Sequence, residues 1–127
     1  MIITVLGSGT SMGVPTLGCD CKVCTSADPR DNRLRPSIMV QHQGKTILID
    51  TTPDFRQQAL REKVTRIDAI LFTHAHADHI MGLDDVRPLN MRQREPIPIY
   101  GSPQTLAVVK QTFSYVFENL TTESTIP

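Results

Sequence analysis

Apolar residues recur along the chain with two alternating periods, and the switches between them predict strands interleaved with helices. Ile2-Ile3-Thr4-Val5-Leu6 is a β-branched run closed by Gly7, the pattern of a buried strand. Residues 37–42 and 45–50 read as two strands meeting around Gln43-Gly44, which predicts a hairpin. Pro53 and Asp54 then open an amphipathic helix with Phe55, Ala59 and Leu60 on one face. A further apolar strand, Ile67 to Phe72, runs straight into Thr73-His74-Ala75-His76-Ala77-Asp78-His79. Ile80-Met81 and Leu83 begin a short helix that Pro88 ends or kinks, because proline lacks the N–H that the helix ladder needs. After a short strand over 96–100, Ser102 as N-cap and Pro103 behind it start a helix to about Asn119. Its buried face is Leu106, Val109, Phe113 and Val116. Thr125-Ile126-Pro127 reads as the opening of another strand. Residues 7–15 form a glycine-containing loop, and residues 19–36, polar and carrying Pro29 and Pro36, an irregular loop insertion. Strands alternating with helices place the chain in the α/β class.

Composition narrows this little except by exclusion. At 127 residues and 39% hydrophobic content the chain has the size and apolar content of one domain and is not a disordered tract. No apolar stretch approaches the length of a membrane span, and no basic, then apolar, leader precedes the first strand, so a soluble cytoplasmic protein is expected. Thirteen Lys and Arg balance thirteen Asp and Glu, which leaves no electrostatic footprint for nucleic acid. Aromatics are 5% with no Trp, which also disfavours a base-stacking surface.

Chemistry concentrates in two clusters. In His74-x-His76-x-Asp78-His79 an extended backbone points residues two apart the same way. His74 and His76 then converge on one ion, while Asp78 and His79 project beyond it towards a second. Neutral imidazole and carboxylate suit zinc, manganese or iron. The alternative is a histidine-rich surface loop. Three of the chain's four histidines lie in this one stretch, directly behind a buried strand, and that favours the metal.

Cys19-x-Cys21-x-x-Cys24 supplies three thiolates, one short of the four ligands of a closed structural zinc site. His42, the remaining histidine, lies in a strand where a packed or exposed imidazole is the simpler reading. A redox C-x-x-C should open a helix, so structural zinc is favoured over redox chemistry or coincidental free thiols. Gly7-x-Gly9-x-x-x-Gly13 departs from G-x-G-x-x-G and is followed by Pro15 rather than a helix, which disfavours a nucleotide cofactor. Arg87 is a candidate for a substrate phosphate, or for a helix-surface pair with Asp84.

The H-x-H-x-D-H motif at a strand-to-helix junction resembles that of the metallo-β-lactamase-fold hydrolases. The resemblance implies that His74 and His76 bind one metal and Asp78 and His79 a second. Asp50 matches the family's earlier acidic position, which supports the metal loop by hydrogen bonding. Gly7-Ser8-Gly9-Thr10-Ser11, Pro15, Gly18, the three cysteines, Thr52-Pro53-Asp54-Phe55-Arg56 and Leu83-Asp84-Asp85-Val86-Arg87 are similar to the phosphoribosyl cyclic phosphodiesterase group within it. In that group three cysteines and a histidine from near the chain's end hold a structural zinc. The implied fold is an αββα sandwich of two similar halves. This chain corresponds to the N-terminal half, a truncated single domain over 1–127 with a mixed sheet and helices on one outer face.

The function implied is a dinuclear metal hydrolase of a small cyclic ribose phosphodiester. A hydroxide shared by the two ions attacks, and Asp78 orients it. Zinc is expected, with manganese or iron as alternatives in the active site. Two such ions need about six ligand contacts, and the motif offers fewer. The resemblance assigns the rest to the second half, so the isolated chain is expected to be inactive, with an apolar sheet surface that the missing half or a second copy would cover. The competing expectations are a tRNA 3′-end nuclease of the same superfamily, hydrolysis of a thioester, lactone or β-lactam, and a non-catalytic metal-binding module.

Overall fold

The structure, a computed structural model, describes residues 1–117. Five strands form one sheet in chain order: β1 (Ile2–Gly7), β2 (Ser37–His42), β3 (Lys45–Ile49), β4 (Ala69–Leu71) and β5 (Ile99–Tyr100). β1, β2 and β3 pair antiparallel, and β4 and β5 are added in parallel, so the sheet is mixed. The two modes follow from the connections. Gln43 and Gly44 both take positive φ, 48° and 74°, and close the β2–β3 hairpin in two residues, the left-handed pair that matches strand twist. Parallel pairing needs a crossover. α1 (Phe55–Arg61) supplies the first, and α2 (Ala77–Ile80), a 3₁₀ turn at Leu83–Val86 and α3 (Arg87–Gln93) the second. α4 (Pro103–Thr112) and α5 (Ser114–Phe117) follow β5.

Register sorts the strand residues onto two unlike faces. Leu6, Met39, Leu48 and Ile70 point to one side and pack with Phe55, Ile67, Phe72, Ile80, Leu83, Val86, Val109 and Phe113, so the helices' buried residues all join that face. On the other, Val5, Ile38, Ile49, Leu71 and Tyr100 lie in one cross-strand row and Ile3, Val40, Ile47 and Ala69 in the next. This face is apolar yet uncovered: Ile3 and Val5 are each 57% exposed and Tyr100 55%. The expected burial of β1 therefore holds only for Leu6, because β1 is an edge strand whose outward side chains meet no second layer.

Other departures have local causes. Leu60 faces solvent, and the buried place on α1 belongs to Gln58, whose Nε2 donates to the Arg35 carbonyl at 2.8 Å while its Oε1 accepts from Thr52 Oγ1 at 3.3 Å. β4 is shorter than the apolar run because the Gln93 amide takes both backbone groups of Ile67, at 2.8 and 2.9 Å. Pro88 both ends one element and starts the next, occupying the first turn of α3 where its missing N–H costs nothing. Ser102 caps α4 as expected, its Oγ accepting from Thr105 N at 3.1 Å, but Phe113 leaves helical geometry and divides the helix. Thr105 is buried where Leu106 was expected to be, and Leu106 is half-buried. The expected continuation to Asn119 and the strand opening at Thr125 lie outside the described residues. The 19–36 segment is irregular, with one 3₁₀ turn at Pro29–Asp31 and a bridge from Val14 to Arg33 closing its base. Among the described residues no helix is long and apolar enough to cross a membrane.

The two faces differ in energetic weight. Leu48→Ala, at a fully buried position, should destabilise this 127-residue chain by about 2–5 kcal/mol in urea unfolding. Leu71→Ala, on the uncovered face, should cost about 1 kcal/mol or less. Equal losses would mean that the second face is covered in solution.

Candidate metal centre

The site is built where the parallel strands end. The Asp50 N–H donates to the Leu71 carbonyl at 2.9 Å, the last rung between β3 and its neighbour, and Asp50 then turns into the left-handed region at φ 62°. That conformation costs a non-glycine residue about 1–2 kcal/mol, and Asp tolerates it because a short polar side chain can hydrogen-bond nearby. Here it does. The buried carboxylate accepts from Thr73 N at 2.8 Å through Oδ1, and from Thr73 Oγ1 at 2.7 Å and His79 Nδ1 at 2.8 Å through Oδ2. The backbone repeats the tie. Thr51 N donates to the His79 carbonyl at 2.8 Å and Gly82 N to the Thr51 carbonyl at 2.9 Å. A Cβ at Gly82 would collide with the Thr52 carbonyl, so only glycine permits this approach. Asp50 thus does what the family resemblance expects of it.

The histidine motif is extended only as far as His76. α2 begins at Ala77, with the His76 carbonyl accepting from His79 N at 2.9 Å and Ile80 N at 3.2 Å. This single turn folds the rest of the motif back rather than onward. The ring centroids of His74 and His79 are 3.9 Å apart, closer than the 4.7 Å between His74 and His76. His79 Nε2 and Asp78 Oδ2 lie 3.2 Å apart. The His79 ring therefore folds back onto His74, where the sequence pattern predicts that it projects beyond the first pair. Thr73 was not singled out in the sequence. Its hydroxyl, between Asp50 and His74 Nδ1 at 3.0 Å, is part of the site, and its place directly before the first histidine is the signal that pointed there.

Cys19, Cys21 and Cys24 do come together, their sulfurs all within 4.8 Å of one another on the exposed loop. Hydrogen bonding to Cys21 from the Cys24 backbone N–H, and from Cys19, lowers its thiol to about 7. At Cys24 the Thr16 N–H, 3.4 Å from Sγ, favours the thiolate, but the Cys19 thiol, burial and Cys21 outweigh it and push this thiol up. His42 is exposed at the hairpin end of β2, opposite the end where the cysteine loop enters, and is remote from this cluster. Asp84 accepts from Tyr115 Oη at 2.9 Å, and Arg87 is half-buried at the start of α3.

Among the described residues only the three cysteine sulfurs lie close enough together to hold one ion as placed, and the His74, His76, Asp78 and His79 donors form no such group. Three imidazoles and a carboxylate are of the types that suit zinc, manganese or iron, and Asp50 accepts from His79 Nδ1 in the way an outer carboxylate orients a histidine. Three gathered thiols suit zinc. A cavity of about 520 Å³ between α3, β5 and α5 is lined by none of these groups.

Comparison with known proteins places this geometry. Residues 45–127, more than half of the chain, match the beta-lactamase superfamily domain family. Coenzyme PQQ synthesis protein B of Methylorubrum extorquens is 35% identical over 123 residues, covering 86% of this chain and 40% of that protein. Ribonuclease Z of Bradyrhizobium diazoefficiens is 40% identical over 90 residues, 67% of this chain and 30% of that protein. An octanoyltransferase of Porphyromonas gingivalis is 46% identical over 114 residues, 89% of this chain but 23% of that protein. Among solved structures, a diphosphatase from the PhnP family is 62% identical with TM-score 0.84, over 91% of this chain and 47% of its own. Zinc-bound PqqB from Methylobacterium extorquens is 30% identical with TM-score 0.72, over 86% and 40%. The chain spans less than half the length of each of these relatives.

Two outcomes follow from the site. In zinc-free protein, alkylation of Cys21 by iodoacetamide should rise through about pH 7, because a lowered pKa leaves thiolate above that value and removes it below. Cys24 should need a higher pH, read by mass spectrometry across a pH series; equal profiles would refute the hydrogen-bond assignment. Asp50→Ala removes a buried carboxylate that accepts three partly buried hydrogen bonds and should cost about 2–4 kcal/mol in urea unfolding. A loss under about 1 kcal/mol would show that solvent replaces the carboxylate.

Proposed function

The chain belongs to the beta-lactamase superfamily domain family, and from that premise we propose that it carries the first metal-ligand cluster of a metal-dependent phosphodiesterase acting on a small substrate. The observation that carries the reading is the contact of the His74 ring with those of His76 and His79, with Asp78 beside His79 and Asp50 holding His79 Nδ1, at the C-terminal strand edge where α/β sheets place their sites. His74 and His76 would hold one ion and Asp78 and His79 a second, and Cys19, Cys21 and Cys24 would hold a structural zinc. Zinc is the first candidate for the histidine site as well, as the relative PqqB is zinc-bound, with manganese or iron as alternatives. Bound ions of this kind act as Lewis acids on a phosphoryl oxygen and make a nucleophile available at neutral pH. The chain's own residues supply orientation. Asp50 fixes the His79 ring, and the Asp78 carboxylate offers an acceptor that aligns an attacking water.

The choice of a small phosphodiester rests on the phosphoribosyl cyclic phosphodiesterase resemblance of the two clusters and on a balanced charge that offers no track for a polyanion. A second reading, cleavage of a diphosphate linkage, is favoured by the 62%-identical diphosphatase, and it needs the same phosphoryl chemistry. Ribonuclease Z among the relatives keeps RNA processing as the rival that the charge balance argues against. Two ions need about six ligand contacts. The remaining ligands would come from sequence beyond these 127 residues, or from a partner chain, and these residues alone should turn over little or nothing.

Elemental analysis of purified protein should find zinc or a similar ion, with the content falling on combined His74→Ala and His76→Ala substitution. Protein carrying both halves should hydrolyse bis(p-nitrophenyl) phosphate, a diphosphate diester, or both. Activity should fall more than about 100-fold with chelator or with the double substitution. The ratio between the two substrates decides between the two readings. Metal content unchanged by the substitution, or hydrolysis indifferent to chelator, would refute the proposal.

A further inference from the structure

Hydrogen-bond polarity around Asp50 fixes more than the position of a loop. An ionised carboxylate only accepts. Oδ2 of this buried group lies 2.7 Å from Thr73 Oγ1 and 2.8 Å from His79 Nδ1, so both partners donate to it. The single hydroxyl proton of Thr73 is thereby committed to Asp50, and only lone pairs remain to face His74 Nδ1, 3.0 Å away. His74 Nδ1 must then carry the proton. The other carboxylate oxygen is held by the Thr73 backbone N–H at 2.8 Å, which prevents the group from swinging away.

We infer that Thr73 is a positioning residue that relays the polarity of the Asp50 carboxylate to His74, so that one buried carboxylate keeps a proton on Nδ1 of both His74 and His79. The His74 Nε2 lone pair is thereby free to bind metal without a proton exchange, whereas His79 Nε2 faces Asp78 Oδ2 at 3.2 Å. A ligating histidine's tautomer is set by the hydrogen bond that its other nitrogen makes. At His79 that bond is direct, whereas at His74 it passes through the Thr73 hydroxyl. The purpose of the relay rests on the metal-ligand reading above, but the tautomers are a property of the metal-free protein and are measurable without any ion.

The test is long-range ¹H–¹⁵N NMR of the histidine rings in metal-free protein. His74 should show the Nδ1–H pattern, and His79 should carry a proton on Nδ1. Thr73→Val, which keeps the shape and removes the hydroxyl, should shift His74 towards Nε2–H and leave His79 unchanged, and Thr73→Ser should restore His74. An Nε2–H tautomer at His74 in the parent protein, or an Nδ1–H tautomer that survives Thr73→Val, overturns the inference. The parent measurement decides the matter even if Thr73→Val does not fold. Zinc titration of the same samples separates the relay from its purpose. Affinity should fall about 10–100-fold in Thr73→Val and recover in Thr73→Ser. The stated tautomers in a protein that binds no zinc would support the relay and refute the metal-site reading.

Discussion

The Asp50 carboxylate is the group on which this arrangement depends. It sits where β3 ends, accepts three hydrogen bonds from the segment that leaves β4 and from the first turn of α2, and does so from a left-handed backbone conformation. Each fact requires the others. Without the turn at Asp50 the side chain would not reach Thr73, and without the three donors a buried carboxylate would be costly. The His79 contact holds α2 against the strand ends, so His79 is brought back over His74 instead of running out into solvent. A polar network that is fully satisfied in this way rigidifies what surrounds it.

The sheet beneath has a complementary asymmetry. Its helix-covered face carries the core, and its other face is a continuous apolar surface from Val5 and Ile3 on β1 to Leu71 and Tyr100 on β4 and β5. Exposed apolar surface on this scale marks an interaction face rather than a finished exterior. The chain spans less than half the length of the relatives it matches.

How much of this was legible depended on the range of the interactions. The hairpin at Gln43-Gly44, the cap at Ser102 and the strand-to-loop transition at His74 are set by neighbours in sequence, and the sequence pattern predicts each of them. The metal motif is legible for the same reason, because its donors lie within a few residues. What was not legible is what distant residues decide. Gln58 takes a core position from Leu60 because the Arg35 carbonyl and Thr52 hydroxyl are there to satisfy it. Ile67 is drawn out of β4 by a glutamine on α3. Thr73 carries no sequence signal beyond its place before His74, since its importance comes from Asp50, far away in the chain.

The two proposed metal sites also differ in what orders them. At the histidine site protein contacts hold two of the rings, Asp50 that of His79 and Thr73 that of His74, while the donors of the motif are not drawn together around one point. The thiols sit on an exposed loop, where contacts within the cluster and one N–H from Thr16 hold the sulfurs, one lowered and one raised. There the ion itself would supply most of the ordering, as in small zinc modules where binding and folding are one event. Its contribution would reach the catalytic edge through the Val14–Arg33 bridge at the base of the loop and through Arg35, whose guanidinium and backbone N–H both bond to Asp54 at the start of α1.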